Sequence, residues 1–213
     1  TPDQITLRNL ELRRFGNNSG VNLSDQYNVQ VVSCEVHKGA STPSSKALLA
    51  ISAYSSIVTG CYVHDAGTDG FGISGGCISY GNYVADCPYG FNNPFIVLNN
   101  LIVDCDSYGI FCYTDLGALI GNSVYNSNSS TGSGIFLDSN GYKAEVANNI
   151  VEGYSGAGGC GIKSAGGEIR VYGHNAYYNN ATHKSLGDVI IDLGGDVTCA
   201  ASPFTDAASG DFS

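Results

Sequence analysis

The chain has no methionine and no tryptophan, only 5 prolines, and only 9 lysines and arginines against 19 aspartates and glutamates in 213 residues. The shortage of positive charge leaves a formal net charge of -10. Nucleic acid and anionic membrane surfaces are held by clustered Lys and Arg, so neither is an expected partner. No apolar run approaches bilayer-spanning length, so membrane insertion is not expected either. No helical period is visible. The chain opens at Thr1-Pro2-Asp3 and passes almost directly into strand-like sequence without a leader-like stretch, as expected of a mature or trimmed product. The few positive charges are unevenly placed. Residues 1–46 hold five basic against four acidic residues, and residues 47–213 hold four against fifteen.

What the chain has instead is glycine, 29 residues of it, and repetition. A polar or small residue follows a short apolar run at Leu10, Cys34, Cys61, Asn82, Asn100, Asn122, Asn149 and His174. The intervals are 24, 27, 21, 18, 22, 27 and 25 residues. Three residues before these markers stand Leu7, Val31, Val58, Ser79, Val97, Leu119, Val146 and Val171; two after them stand Leu12, Val36, Val63, Val84, Ile102, Val124, Val151 and Ala176. Fourteen of the sixteen are Leu, Val or Ile. The two columns are five residues apart, and in one continuous strand an odd separation would put them on opposite faces. Both have core character, so the chain must turn a corner at the marker. A third strand then opens with Gly and an apolar residue: Gly20-Val21, Gly70-Phe71, Gly90-Phe91, Gly109-Ile110, Gly134-Ile135 and Gly161-Ile162. In the second unit Leu48-Leu49-Ala50-Ile51 stands in its place.

Three strands per unit imply an all-β solenoid of parallel strands stacked at roughly 4.8 Å, in about eight rungs spanning about 34 Å. One domain is expected, with rungs over residues 5–190 and a closing segment over 191–213. The marker asparagines and the Gly-apolar strand starts resemble the right-handed parallel β-helix of the pectin-lyase-like superfamily, over residues 5 to about 180. In that family an asparagine ladder often fills a tight turn, and Asn82, Asn100, Asn122 and Asn149 match it. The tail Ala201–Phe212 resembles the closing segment of secreted bacterial or viral β-helix proteins. The resemblance specifies a fold. One fold hosts many functions.

Three constellations could carry chemistry. Asp65, Asp86 and Asp104 form a column four residues after the markers, with Lys38 one rung away. Stacked carboxylates repel unless solvated or bridged, and hard oxygen ligands suit Ca²⁺. In the pectate lyases of the family such a cluster binds Ca²⁺ and a nearby Arg or Lys abstracts the proton. The resemblance therefore offers Asp65, Asp86, Asp104 and Lys38 as a catalytic set and the three aspartates as Ca²⁺ ligands. Asp is also an ordinary strand terminator and turn cap. His37 and His64 share a second column on adjacent units and could ligate a transition metal or act as acid and base, although a closed metal site needs about four ligands.

The third constellation lies on the face that the family's enzymes present to substrate, the outer side of the Gly-apolar strands. Alternation puts Asn22, Ala50, Gly72, Asn92, Phe111, Phe136 and Lys163 there, with Tyr113 and Asp138 beside them. Phe111, Tyr113, Phe136, Asp138 and Lys163 are the expected contacts to a glycan or protein partner, since exposed rings stack on sugars or bury in interfaces. The Asp-Asp pair, Gly-His-Gly and Arg-Ile-Lys of the polygalacturonases are missing. A glycosidase needs two carboxylates at a set separation, and this face offers only Asp138 clearly.

Eight cysteines suit an extracellular protein but are too sparse for a disulfide-stapled fold. Cys34/Cys61 and Cys87/Cys105 fall in matching columns whose rung spacing permits either disulfides or stacked buried thiols. N-x-S/T sequons begin at Asn17, Asn22, Asn128 and Asn180. The expectation is a secreted or cell-surface module with a structural or adhesive role. It would bind an extracellular polysaccharide or self-associate head to tail, basic first rungs against an acidic remainder. The alternative is a polysaccharide lyase or glycoside hydrolase, with Ca²⁺ assistance.

Overall fold

Seven turns of the chain are bent by one residue with left-handed backbone immediately before the marker, Asn9, Ser33, Gly60, Gly81, Asn99, Gly121 and Asn148 with φ between 51° and 69°, and in the last it is the expected marker itself, His174, that has φ of 56°. These are mostly Gly and Asn, the residue types that reach this region at least cost. The corner reverses the inside–outside alternation, so the apolar residues on both sides of it point inward. The computed structural model of the chain describes residues 4–13, 20–23, 26–37, 47–51, 55–113, 117–138, 143–166, 168–209 and 211–212.

Among the described residues the strands form three parallel sheets of nine, nine and eight strands, every strand pairing with its counterparts one turn away. The first turn shows the order: Ile5–Arg8 in the first sheet, Glu11–Arg13 in the second and Val21–Asn22 in the third. The first apolar column runs in register through Leu7, Val31, Val58, Ser79, Val97, Leu119 and Val146. The second runs through Leu12, Val36, Val63, Val84, Ile102, Val124 and Val151. From the second turn onward their side chains are buried in one continuous core, Ser79 included. Ser79 meets the Cys77 thiol at 3.6 Å.

The last unit departs from expectation by one residue. The pairing shifts between Ala144 and Glu145, so that Val146 lies beside Tyr172 and Val151 beside Tyr177. The buried residues there are Tyr172, Asn175 and Tyr177, not Val171, His174 and Ala176. One extra residue in the strand, at Arg170, defeats a count of fixed offsets. The turns also continue past residue 190, through Val189–Asp192 and Val197–Thr198.

At the marker itself the asparagines form the expected ladder. The side-chain oxygens of Asn100, Asn122, Asn149 and Asn175 each accept from the backbone N–H of the preceding turn's asparagine at 2.9–3.1 Å and from its amide nitrogen at 3.0–3.1 Å. Cys61 N–H donates to Asn82 Oδ1 at 2.9 Å, and the Asp196 carboxylate takes the Asn175 N–H at 2.9 Å. The ladder thus pins the corner from inside, while the residue before it supplies the left-handed backbone. Cys34 and Cys61 occupy ladder positions as thiols. All eight cysteines are free, and seven are buried. Burial pushes the Cys77 thiol up to about 11 and the Cys87 thiol up to about 12.

The third-sheet strands carry an inward glycine stripe at Gly72, Gly90, Gly109, Gly134 and Gly161. A Cβ at Gly109 would stand 2.5 Å from Val124 Cγ1 and 2.6 Å from the Gly134 carbonyl, and the others meet Val84, Ile102, Val151 and Tyr177 in the same way. Only glycine lets the third sheet close against the second. The stripe corrects one unit: its inward pair is Gly72-Ile73, with Ile73 beside Leu49 and Phe91, and not Gly70-Phe71. The outward residue beside Ala50 and Asn92 is accordingly Ser74, not Gly72. No helix among the described residues is long and apolar enough to cross a membrane.

Candidate functional site

The glycine stripe determines what the third sheet shows to solvent. In Tyr108–Cys112 both Gly109 and Ile110 point inward, so Tyr108 before them and Phe111 after them both point outward. The same arrangement sends out Phe71 and Tyr89 on the two preceding turns, and Phe136 on the next. The result is an unbroken strip of rings. Successive centroid distances are 4.9 Å for Phe71–Tyr89, 5.5 Å for Tyr89–Tyr108, 5.1 Å for Tyr108–Phe111 and 5.6 Å for Phe111–Phe136. Tyr113 extends it from Phe111 at 5.7 Å and is 48% exposed; Lys163 lies over the Phe136 ring at 5.3 Å. Burial first, then the neighbouring Tyr89 and the Asp138 carboxylate, raise the Tyr108 hydroxyl above the ordinary tyrosine value. Phe111, Tyr113, Phe136, Asp138 and Lys163 are therefore gathered on one face, as their spacing led one to expect. Phe71, Tyr89 and Tyr108 were not expected there. The available signal was an aromatic residue directly before each inward glycine.

One hollow borders the strip at the corner between the second and third sheets, and a second adjoins the first. The first, of 540 Å³, is lined by Tyr89, Tyr108, Asp106, Asn128, Ser130 and Thr131 among others. The second, of 370 Å³, is lined by Thr68, Asp86, Pro88, Asp104, Asp106 and Asn128 among others. They share Asp106 and Asn128 and form one polar trough beside the rings. The trough wall is braced: Asp106 Oδ1 accepts from Asn126 Nδ2 at 3.2 Å and Asn128 Nδ2 at 3.3 Å, and Asp104 Oδ1 accepts from Ser127 N–H at 2.6 Å.

The aspartate column has a conformational origin. Asp65, Asp86 and Asp104 follow directly on second-sheet strands and adopt φ of 58°, 51° and 50°, the left-handed backbone of that corner. Asp is among the few non-glycine residues that take this conformation readily. Asp86 and Asp104 line the trough. Burial, then the charges of Asp104 and Asp65, hold the Asp86 carboxyl above the usual carboxylate range. Asp65 is directed elsewhere, to His64 Nδ1 at 2.8 Å. Lys38 lies outside the described residues. Among these, the His, Cys, Asp and Glu ligand atoms that converge in a group of three belong to Glu35, His37 and His64, not to the aspartate column on which a Ca²⁺ site was expected. Of the sequons, Asn17 lies outside the described residues. Asn180 is buried, its amide donating to the Val151 carbonyl and accepting from the Tyr154 N–H.

A family model described as the right handed beta helix region matches residues 6–181. No curated protein matches the chain. Among solved structures, two trypsin-treated variants of QnrB1, a plasmid-mediated fluoroquinolone resistance protein, align over 92% of this chain and 91% of theirs at 14% identity, with TM-scores of 0.32 and 0.25. No functional statement rests on a likeness at that level.

Proposed function

The chain belongs to the right-handed β-helix family, and from that frame we propose that it binds an extended extracellular polysaccharide along the outer face of its third sheet. The observation that carries this reading is the ring strip from Phe71 to Phe136 running along the solenoid beside a trough of carboxylates, hydroxyls and amides. A sugar chain offers alternating needs: apolar C–H faces that stack on rings, and hydroxyls that require both donors and acceptors. The rings are held at rung spacing by the sheet beneath, so little ordering entropy remains to be lost on binding. The net charge of -10 favours a neutral polymer over a polyuronate. Affinity electrophoresis and calorimetry against neutral and acidic polysaccharides test the reading. Tyr108→Ala with Phe111→Ala should weaken binding at least about tenfold, roughly 1.4 kcal/mol, while leaving the strand signature in circular dichroism unchanged. Equal binding by the double variant would remove the strip from the interaction.

A second reading, cleavage of the bound polymer, is favoured by one observation. Asp86 and Asp104 stand side by side in the trough, and a pair of neighbouring carboxyl groups is what acid–base cleavage needs. New reducing ends or unsaturated products, lost in Asp86→Asn with binding retained, would support it. Turnover unchanged by that substitution would exclude Asp86.

A further inference from the structure

On the outer face of the second sheet, away from the ring strip, three neighbouring strands bring together Glu11, Glu35, His37 and His64. Glu35 and His37 are alternate residues of one strand and share its outward face. Glu35 pairs in register with Glu11, and His37 with His64. The two imidazoles stack at 4.8 Å with planes 6° apart, and Tyr62 stacks on His64 at 4.0 Å. Their side chains are only 15% and 12% exposed, so both rings are held in place.

The cluster turns two ring nitrogens toward carboxylate oxygens. Asp65 lies 2.8 Å from His64 Nδ1, and a carboxylate can only accept, so Nδ1 carries the hydrogen. Nε2 of a neutral His64 then holds a lone pair, yet it faces a second carboxylate oxygen, Glu35 Oε1, at 3.1 Å. His37 Nε2 likewise faces Glu11 Oε1 at 3.3 Å and Glu35 Oε1 at 4.0 Å. One divalent cation placed between them would serve both ring nitrogens and the carboxylates. Two ligand atoms on a tetrahedral zinc stand roughly 3.3 Å apart, given Zn–N and Zn–O distances of about 2.0–2.2 Å. The His64–Glu35 and His37–Glu11 separations of 3.1 and 3.3 Å lie close to that value, His37–Glu35 is 4.0 Å, and the ligand atoms of Glu35, His37 and His64 all fall within 4.8 Å of one another.

We propose that His37 Nε2, His64 Nε2 and Glu35 bind a divalent transition metal of the zinc class, with Glu11 placed to close the fourth position. Two imidazoles and a carboxylate are borderline ligands that select zinc, cobalt or nickel over calcium. Asp65 fixes the tautomer and orientation of His64, the outer-shell carboxylate–histidine arrangement common to such sites. Arg13, 3.3 Å from Glu11, is the nearby cation that partly offsets the acidic charge. The metal would clamp the first three turns across their second-sheet strands.

The test is calorimetric titration of chelator-treated protein with Zn²⁺, and with Co²⁺ followed by its visible d–d absorption. One equivalent of metal is expected, with the band intensity of a four-coordinate site. Asp65→Asn, which keeps a residue tolerant of the left-handed corner, should weaken Zn²⁺ binding roughly 10–100-fold. His37→Gln and His64→Gln should each weaken it further, and Lys163→Ala on the third sheet should leave it unchanged. No saturable uptake of Zn²⁺, Co²⁺ or Ni²⁺ would overturn the proposal, as would unchanged uptake in the folded His37→Gln/His64→Gln protein. Should that double variant not fold, the imidazole nitrogen shifts of the unaltered protein decide. Both Nε2 resonances move on adding Zn²⁺ if the site exists, and their failure to move sinks it.

Discussion

The outer faces of the second and third sheets both carry aromatic rings, and the chain treats them differently. On the second sheet the C-terminal segment folds back over Ala85, Val103 and Tyr125, burying Phe204 to 4% exposure. Phe204, Phe212 and Tyr125 meet edge to face at 5.4–5.9 Å, and Ser202 Oγ anchors the segment to Glu152 at 2.7 Å. On the third sheet the rings from Phe71 to Phe136 stay partly open to solvent. The second-sheet face also changes character along one register column. It reads Arg13, His37 and His64 over the first turns, then Ala85, Val103 and Tyr125 beneath the tail. Outward residues in this solenoid follow whatever covers them. The tail thus covers Ala85, Val103 and Tyr125 on one face and leaves the rings of the other uncovered.

The largest effect that would break this contrast is removal of the cover. Phe204→Ala should cost about 3–5 kcal/mol, the usual range for a buried phenylalanine, read as a lowered urea midpoint. Phe111→Ala on the open face should cost under about 1 kcal/mol of stability, since its ring is only partly removed from water. Equal losses at the two positions would erase the distinction. A change beneath both faces supplies the reference. Burial alone would raise the Asp196 carboxyl, but hydrogen bonds from Lys184 and from the Asn175 N–H outweigh it and hold the group below its ordinary value of 3.8. A depressed carboxyl contributes stability that is present above the unfolded value and lost as pH falls through the folded one. Asp196→Ala should therefore remove about 1–3 kcal/mol at neutral pH, the cost of an unpaired buried donor, and flatten the acid limb of a pH–stability curve. The smallest effect belongs to the trough between the two faces. Asp86 is shifted the other way, so its ionisation weakens the fold as pH rises past 3.8. Asp86→Asn keeps the left-handed corner and should raise stability at neutral pH by less than about 1 kcal/mol, visible as a small gain in Tm that disappears in acid.

The buried columns were legible because each inward position must be apolar whatever the rest of the chain does. Fourteen of sixteen residues carried that signal, and it failed where Arg170 inserts an extra residue and shifts Tyr172 and Tyr177 into the core. The ring strip was half legible. Phe111 and Phe136 follow from simple alternation, whereas Phe71, Tyr89 and Tyr108 point outward only because a glycine beside each turns two consecutive residues inward. The His–Glu cluster showed two of its members as a column. Glu11 and Glu35 were hidden because nothing in a linear pattern says which outward carboxylate leans toward which ring. The docking of Phe204 and Phe212 was illegible for a related reason: it joins segments roughly eighty residues and more apart, across a register that only the folded solenoid defines.

The asparagine ladder has a direction. Every ladder asparagine from Asn82 to Asn175 donates its backbone N–H and one amide hydrogen to the oxygen of the next turn's ladder residue, gives amide hydrogen back to a carbonyl of the previous turn, and accepts on its own oxygen from the previous turn, and the series ends on the carboxylate of Asp196. During synthesis, which delivers the N-terminal turns first, each completed turn therefore presents donors to a partner that has not yet emerged. Growth is polar in the sense of a polymer with an active end: each arriving turn satisfies the last and exposes the same demand again. Asp196 is the terminator: it accepts from Asn175 and has no amide hydrogen of its own side chain to pass on.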